Sequence, residues 1–432
     1  MNVADALADL EARQPERMVP DLTRIAAMAE LLDHPERTYP TIHVTGTNGK
    51  TTTARLITAL ACEHGLTTGT YTSPHLHAVT ERLALCGEPI SEDEFAEEYE
   101  RLVPFLQEVD RRGERVTYFE TLTALAYVWF ADKPVSLGVF EVGMGGSWDA
   151  TNLVGGDVAV LCPIALDHPE LGSTVRDVAT EKAGIVKEGK VVVCREQPEE
   201  ALRVIEARCA EMEARLLLEG RDFSLAGRLQ GVGGQQIAVQ GIHARYEELR
   251  LLMFGDHAAR NAAAAVVAVE AFLGRALAQE SVEEALAGAT SPGRLEVLGR
   301  RPLLVVDGAH NPAGAAALAR AVAEAFRWED LHLVLACSAN KNVDGVVGAL
   351  AVIRPRVYAT RNSSARSAPP GRVAAACREA GLDTRELGSV PEALDAARAS
   401  AEEGDLILVT GSLYTVADAR RAIGAISTNP DG

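Results

Sequence analysis

At 432 residues the chain is too long for one ordinary hydrophobic core, so two domains are expected. With 47% hydrophobic and 24% charged residues the composition is that of a globular soluble protein, and no run of 18 apolar residues offers a membrane span. A formal charge of −19 disfavours nucleic acid and anionic membrane as partners, so a phosphate ligand would need a local cradle of amides, lysine and metal.

Two helical stretches open the chain, roughly 3–13 and 21–33; the first mixes acids into an amphipathic pattern and is not a secretion signal. After Pro40, the run Thr41-Ile42-His43-Val44-Thr45 reads as a buried strand, followed by a glycine-rich turn and a helix over 50–64. Further strands are expected at 137–142, 158–161, 191–194 and 216–218, with helices around 92–110, 118–131, 174–186 and 199–213. Strands alternating with helices imply a mainly parallel sheet covered on both faces. The Gly-rich alternation within 221–253 suggests a small antiparallel excursion, and an alanine-rich helix over 257–273 returns the chain to the main body. Ser291-Pro292-Gly293-Arg294 reads as a linker. Strands near 302–306, 331–335, 355–359 and 405–409 then build a second, smaller, Rossmann-like α/β unit. The expected division is 1–291 and 292–432. Seven scattered cysteines (62, 86, 162, 194, 209, 337, 377), odd in number and without a CxxC pair, argue against a disulfide framework and a structural zinc, and fit a reducing cytoplasm.

Thr45-Gly46-Thr47-Asn48-Gly49-Lys50-Thr51-Thr52 lies between the first strand and its helix, where backbone amides and the positive helix end converge on a phosphate. Glycines let the backbone approach the ligand, Lys50 can neutralise β/γ-phosphates, and the Thr51 hydroxyl suits Mg²⁺. The standard P-loop has a glycine where Val44 stands, so this is a shorter relative. A plain strand–helix turn is the alternative. Glu141 follows the apolar run Leu137–Phe140, which places its carboxylate at the sheet's carboxyl edge beside the loop.

TGTNGKTT resembles the short nucleotide loop of the Mur ligase superfamily, in which ATP drives amide-bond formation. Tyr71-Thr72-Ser73-Pro74-His75-Leu76, Glu81-Arg82-Leu83 with Gly87-Glu88-Pro89-Ile90, and Glu141-Val142-Gly143-Met144-Gly145-Gly146-Ser147-Trp148-Asp149-Ala150-Thr151-Asn152 are similar to segments of folylpolyglutamate synthases. So are Asp167-His168, Glu181-Lys182-Ala183-Gly184-Ile185, Asp307-Gly308-Ala309-His310-Asn311-Pro312 and Thr410-Gly411-Ser412. These matches run in family order from about residue 20 to 420. Three positions depart from the family pattern. GKTT stands where GKGS is frequent, Ser147 stands where arginine is common, and the Asp167-His168 segment is one residue short before its Leu-Gly.

The resemblance implies a P-loop-type ATPase domain followed by a glutamate-ligase domain, using ATP and two Mg²⁺ ions, with Mn²⁺ also accommodated. It implies nucleotide contacts from Thr47, Asn48, Gly49, Lys50, Thr51, Thr52, Asn261, Arg294 and Asp307. The metal ligands it implies are Thr51, Ser73, Glu141 and His168, and a carbamylated Lys182 that supports the second ion. Lys50, Lys182 and His310 are the implied catalytic groups. Pterin contacts fall to Leu22, Thr23, Arg24, Tyr118, Phe119, Glu120, Thr121, Trp148, Asp149 and Ala150, while His310, Ser412 and Arg366 face the incoming glutamate.

Read without the family, Lys182 is a solvated helix lysine, His168 a capping or core histidine, Phe119 and Trp148 ordinary core, and Arg366 a solvated loop arginine. The implied substrates are L-glutamate and a reduced folate or dihydropteroate, handled by a monomer with no nucleic-acid or membrane partner. Two other functions fit parts of the pattern. A cell-wall Mur ligase would normally carry a further N-terminal domain, whereas about 40 residues precede the first strand here. A nucleotide-hydrolysing switch would need a base-specificity motif, and Asn340-Lys341-Asn342-Val343 carries valine where aspartate is required.

Overall fold

This computed structural model describes residues 1–15, 19–113 and 115–424, so the end of the expected second domain, 425–432, lies outside the described residues. The chain divides into two compact units. One comprises Met1–Arg228, Gln236–Leu251 and Arg260–Ala289; the other comprises Leu229–Gln235, Leu252–Ala259 and Thr290–Gly432.

In the first unit, α1 (Val3–Glu11) and α2 (Thr23–Leu31) precede β1 (Thr41–Thr45), every residue of which is buried. A strand covered on both faces needs no polar alternation. Helix α3 (Lys50–Glu63) is entered through Gly49 at φ 91°, a left-handed backbone that glycine adopts without strain. Next come β2 (Thr68–Tyr71), β3 (Leu83–Leu85), β4 (Glu88–Pro89), α4 (Glu92–Arg112), α5 (Tyr118–Asp132) and β5 (Leu137–Glu141). They are followed by β6 (Val158–Leu161), α6 (Val175–Ala183), β7 (Val191–Cys194), α7 (Glu199–Glu211) and β8 (Arg215–Leu218). The sheet order is β4-β3-β2-β5-β1-β6-β7-β8. Strands β2, β5, β1, β6, β7 and β8 run parallel, while β3 and β4 add antiparallel at one edge. The turns after β1, β2, β5, β6 and β7 therefore gather at one carboxyl edge, where ligands of such sheets bind.

Side-chain caps fix the helix starts. Ser91 accepts from the Glu94 amide ahead of three acids in the first turn of α4, Thr117 and Glu120 form a capping box at α5, and Thr174 and Asp177 form one at α6. Helix α5 is apolar on most sides and is packed by α1, α2 and α4 around Tyr71 and Phe140. Helices α6 and α7 pack over β6 and β7 in a separate apolar cluster.

The glycine-rich stretch forms β9 (Ser224–Gly231), β10 (Gly234–Gln240) and β11 (Arg245–Leu251), a separate sheet of order β11-β10-β9, before α8 (Asp256–Leu273) and α9 (Gln279–Gly288). The second unit's sheet uses β12 (Glu296–Arg300), β13 (Leu303–Val306), β14 (Leu331–Leu335), β15 (Arg356–Ala359), β16 (Thr384–Glu386) and β17 (Leu406–Thr410). Its order is β12-β13-β17-β14-β15-β16, parallel except for β12. The connecting helices are α10 (Pro312–Ala325), α11 (Val343–Ala351), α12 (Pro370–Glu379) and α13 (Val390–Ser400), with α14 (Leu413–Ala422) after the last strand.

One expectation is corrected. Cys62, near the end of α3, and Cys86, in the turn between β3 and β4, form a disulfide, while the other five cysteines are free and buried. Antiparallel pairing of β2 with β3 brings the two together: the Cys86 amide bonds Thr68 O at 2.9 Å, one turn of chain beyond the end of α3. Linear spacing cannot show that approach.

Candidate active site

The phosphate loop is shaped by its neighbours. A Cβ on Gly46 would lie 2.5 Å from the Cys162 Cβ, and one on Gly49 would meet the Asn261 amide at 3.0 Å, so both glycines are required by space as well as by backbone angle. Thr47 is clamped to the turn after β6: its amide bonds Pro163 O, and its hydroxyl both donates to Ala165 O and accepts from the Ala165 amide, all at 2.9 Å. Lys50 curls over the loop, its Nζ 3.0 Å from Gly46 O and 3.4 Å from Thr47 O. Asn48 is half-buried, its amide 3.4 Å from Pro163 O, and Thr52 is buried at the start of α3.

Glu141 leaves β5 as the sequence indicated and is 1% exposed. Its Oε1 accepts from the Thr51 hydroxyl at 2.8 Å and its Oε2 from the Ser73 amide at 3.1 Å. Thr51 at the start of α3, Ser73 in the turn after β2 and Glu141 at the end of β5 are thereby brought together. Lys182 is also there: its Nζ donates to Gly46 O at 2.9 Å and its side chain is buried. Burial, helped by the nearby Lys50 charge, pushes the Lys182 pKa down to about 7. It is therefore not a solvated helix lysine.

His168 lies beyond the Thr47–Ala165 clamp, with Nε2 3.3 Å from Asp167 Oδ2 and Nδ1 3.9 Å from Glu170 Oε2. Among the described residues no three His, Cys, Asp or Glu side chains form a metal-holding cluster, so a cation here depends on hydroxyl and phosphate oxygens as well as Glu141. Those hard oxygen donors fit Mg²⁺.

The implied pterin residues fall into two groups. Arg24 and Glu120 form a buried ion pair at 2.9 Å, Thr121 donates its hydroxyl to Thr117 O at 2.9 Å, and Asp149 caps the turn 150–153 that begins at the buried Ala150. Their polar groups hold the fold. Leu22, Thr23, Phe119 and Trp148 keep accessible surface, and the Phe119 ring lies so close to Gly143 that a Cβ there would come within 2.6 Å. Tyr118 is buried beneath the Arg82 guanidinium, 5.3 Å from its ring centroid.

Several residues build the site in roles that the sequence reading did not give them. Glu81 collects the amides of Leu76, His77 and Ala78 at 2.8, 2.8 and 2.9 Å, shaping the turn that carries Ser73. Burial alone would raise its pKa, but these amides bring it below the ordinary carboxylate value. Arg195, 4% exposed, bonds the Asn261 side-chain oxygen and pairs with Glu219 at 2.8 Å, fixing which way the Asn261 amide faces. Ser147 ties the turn after β5 to α6 through Glu181 O, with its amide at 3.0 Å and hydroxyl at 3.2 Å. A charged residue at the end of a short apolar strand is the one signal that could have marked Arg195.

In the second unit, the turns after β13 and β17 lie side by side because the two strands pair in parallel. Asp307 accepts from the Leu295 amide at 2.8 Å and the Ala309 amide at 2.7 Å, bracing both the linker and its own turn. Arg294 packs on Gly308, where a Cβ would lie 2.6 Å from its Nη1. His310 Nδ1 bonds Gly308 O at 2.9 Å, and Ser412 caps α14 through the Tyr414 amide at 3.2 Å. Arg294, Asp307, His310 and Ser412 are thus grouped at this unit's carboxyl edge, whereas Arg366 stands exposed in the loop after β15.

The Mur ligase middle domain family matches residues 44–269, and the Mur ligase glutamate ligase domain family matches residues 293–413. The dihydrofolate synthase/folylpolyglutamate synthase of Mycobacterium tuberculosis is 38% identical over 96% of this chain and 92% of its own length. The structure of Mycobacterium tuberculosis folylpolyglutamate synthase complexed with ADP superposes with a TM-score of 0.94 at 37% identity, covering 98% of each chain. An FPGS–AMPPCP–folate complex superposes with a TM-score of 0.87 at 29% identity, covering 98% of this chain and 100% of that one. With both domains matched in order and identity sustained along nearly the whole chain, this protein belongs to the folylpolyglutamate synthase/dihydrofolate synthase family of Mur ligases.

Proposed function

We propose that the chain is an ATP-dependent ligase that joins L-glutamate to folates, and also to dihydropteroate to give dihydrofolate, through an acyl phosphate. The observation that carries this reading is the clasp of Glu141 on Thr51 and Ser73 beside two lysines, Lys50 and Lys182, at the mouth of the phosphate loop. The relatives' substrates, named for folate and dihydrofolate chemistry, supply the acceptor class.

A carboxylate does not react with an amine in water because its oxide is too poor a leaving group. Transfer of the γ-phosphoryl group makes it an acyl phosphate, and that transfer needs mainly positioning and charge neutralisation. The amides of the loop and of the first turn of α3 receive the phosphates, and Lys50 swings from its carbonyl partners to the β/γ-phosphates. Asn261, held by Arg195 against Gly49, orients the nucleotide. Thr51, Ser73, Glu141 and His168 would hold Mg²⁺, which when bound neutralises the phosphate oxygens; His168 also admits Mn²⁺. Carbamylated, Lys182 would offer an anionic oxygen to a second ion. Phe119 and Trp148, with Leu22 and Thr23, present the accessible faces for a flat heterocycle. Arg294 and Asp307 act on the nucleotide, and His310 and Ser412 on the glutamate. Residues 1–291 carry the phosphate loop, cation and pterin groups, and residues 292–432 carry the glutamate groups together with Arg294 and Asp307. A monomer in the cytoplasm, where ATP is abundant, is the proposed form, with neither nucleic acid nor membrane as partner; the Cys62–Cys86 bond is the feature that weighs against a reducing compartment.

The test is ADP release by the full chain with Mg·ATP and glutamate, adding dihydropteroate or tetrahydrofolate in turn and weighing the products. Release that depends on both glutamate and a pterin, with a product one glutamyl unit heavier, is the expected result. Nucleotide hydrolysis independent of glutamate would instead favour a switch, and activity on neither pterin would refute the acceptor assignment.

A further inference from the structure

His43 is fully buried in the middle of β1, and none of the groups assigned above to ATP, folate or glutamate touches it through a described bond. Its Nε2 lies 2.8 Å from the Thr151 hydroxyl, and that hydroxyl donates to Asp149 Oδ1 at 2.5 Å. Asp149 also takes the Thr151 amide at 3.0 Å and, on Oδ2, the Met144 amide at 2.9 Å. The hydroxyl proton is committed to the carboxylate, so the proton between Thr151 and His43 comes from the ring. His43 is the Nε2–H tautomer, and Nδ1, buried without a hydrogen-bond partner, is bare. Burial drives its pKa down to about 3, so the ring stays neutral and gives this one hydrogen bond throughout the physiological range.

These bonds end on the turn that follows Glu141. Met144 lies three residues beyond Glu141, and the turn 142–149 is held from the other side by the Thr45 hydroxyl, which donates to Gly145 O at 2.9 Å. His43 and Thr45 are both on β1, which continues directly into the phosphate loop. The strand that presents the nucleotide cradle therefore also sets the turn that presents Glu141.

We propose that His43 is a positioning residue for the ligase reaction: through Thr151 and Asp149 it fixes the 142–149 turn so that the Glu141 carboxylate meets the divalent cation of the bound nucleotide. The inference rests on the reading of Glu141 as a cation ligand. Partners that orient a metal ligand affect the metal's affinity, whereas a histidine that merely fills space affects stability alone.

The test is Mn²⁺ binding to the full chain, followed by electron paramagnetic resonance in the presence of a non-hydrolysable ATP analogue, alongside steady-state kinetics. His43→Leu removes the donor, His43→Gln offers an amide N–H in the place of Nε2–H, and Glu141→Gln is the control. His43→Leu is expected to weaken Mn²⁺ binding about tenfold and His43→Gln no more than about twofold, the scale of outer ligand partners. The KM for glutamate should stay unchanged in both. Equal binding by His43→Leu and the wild type, with Glu141→Gln impaired, overturns the inference alone, as does equal impairment of the Leu and Gln variants. Undiminished binding by Glu141→Gln overturns the cation reading and the inference with it. Should His43→Leu fail to fold, as judged by circular dichroism, Thr151→Ser is expected to bind as the wild type and Thr151→Val more weakly. Equal binding by that pair overturns the inference.

Discussion

Lys182 shows how burial changes what a residue can do. Its position on α6, between an acid and a run of small residues, carries no mark of burial, and only the family resemblance pointed to it. The fold turns it inward onto Gly46 O, and with burial and Lys50 lowering its pKa to about 7 it is partly neutral in ordinary buffer. Carbon dioxide adds only to the neutral amine, so at fixed dissolved CO₂ the carbamate should grow as pH rises through 7 and fade below it. A carbamate ¹³C resonance after incubation with labelled bicarbonate, lost in Lys182→Met, is the expected observation; its absence from the wild type at pH 8 would show that Lys182 acts as an amine. Lys50, Thr51 and Glu141 were readable because each is bound to a local pattern, a Gly-Lys-Thr at a helix start or an acid ending an apolar strand. His43 and Arg195 were not, since their partners lie 108 and 66 residues away in bonds that nothing in composition announces.

At the scale of elements, strands with continuous apolar runs and helices with clear periodicity stood out from the chain, and β1, β5, β6, β7, α3 and α5 lie where they were expected. The shortest elements did not. β2 reads Thr-Gly-Thr-Tyr, β4 is two residues long, and β16 is three residues with little burial, so each becomes a strand only by pairing with a neighbour. The disulfide depends on one of these hidden pairings. It closes a stretch of sequence separation 24, for which loop-closure entropy predicts a contribution of about 3.5 kcal/mol to stability. Chemical denaturation of Cys62→Ser/Cys86→Ser should lower the midpoint accordingly while leaving nucleotide binding intact. An unchanged midpoint would mean that the bond removes little freedom from the unfolded chain.

For the whole molecule, the alternation of strands and helices was enough to foresee two α/β units. The contacts nonetheless group 229–235, the turn from the end of β9 into β10, and 252–259, the link from β11 into α8, with the second unit, a packing that sequence order does not record. The net charge of −19 makes a dedicated cradle necessary for any nucleotide, and the first unit supplies it from five turns at one sheet edge. In the proposed reaction the chain spends ATP to activate a pterin-linked carboxylate for glutamate. Supplying a folate acceptor labelled with ¹⁸O in its carboxylate and following the label through one round of reaction tests it most directly. One ¹⁸O in the released phosphate, together with a product extended by one glutamyl unit, is the predicted result; phosphate without ¹⁸O, its fourth oxygen taken from water, formed without any extended product, would contradict it.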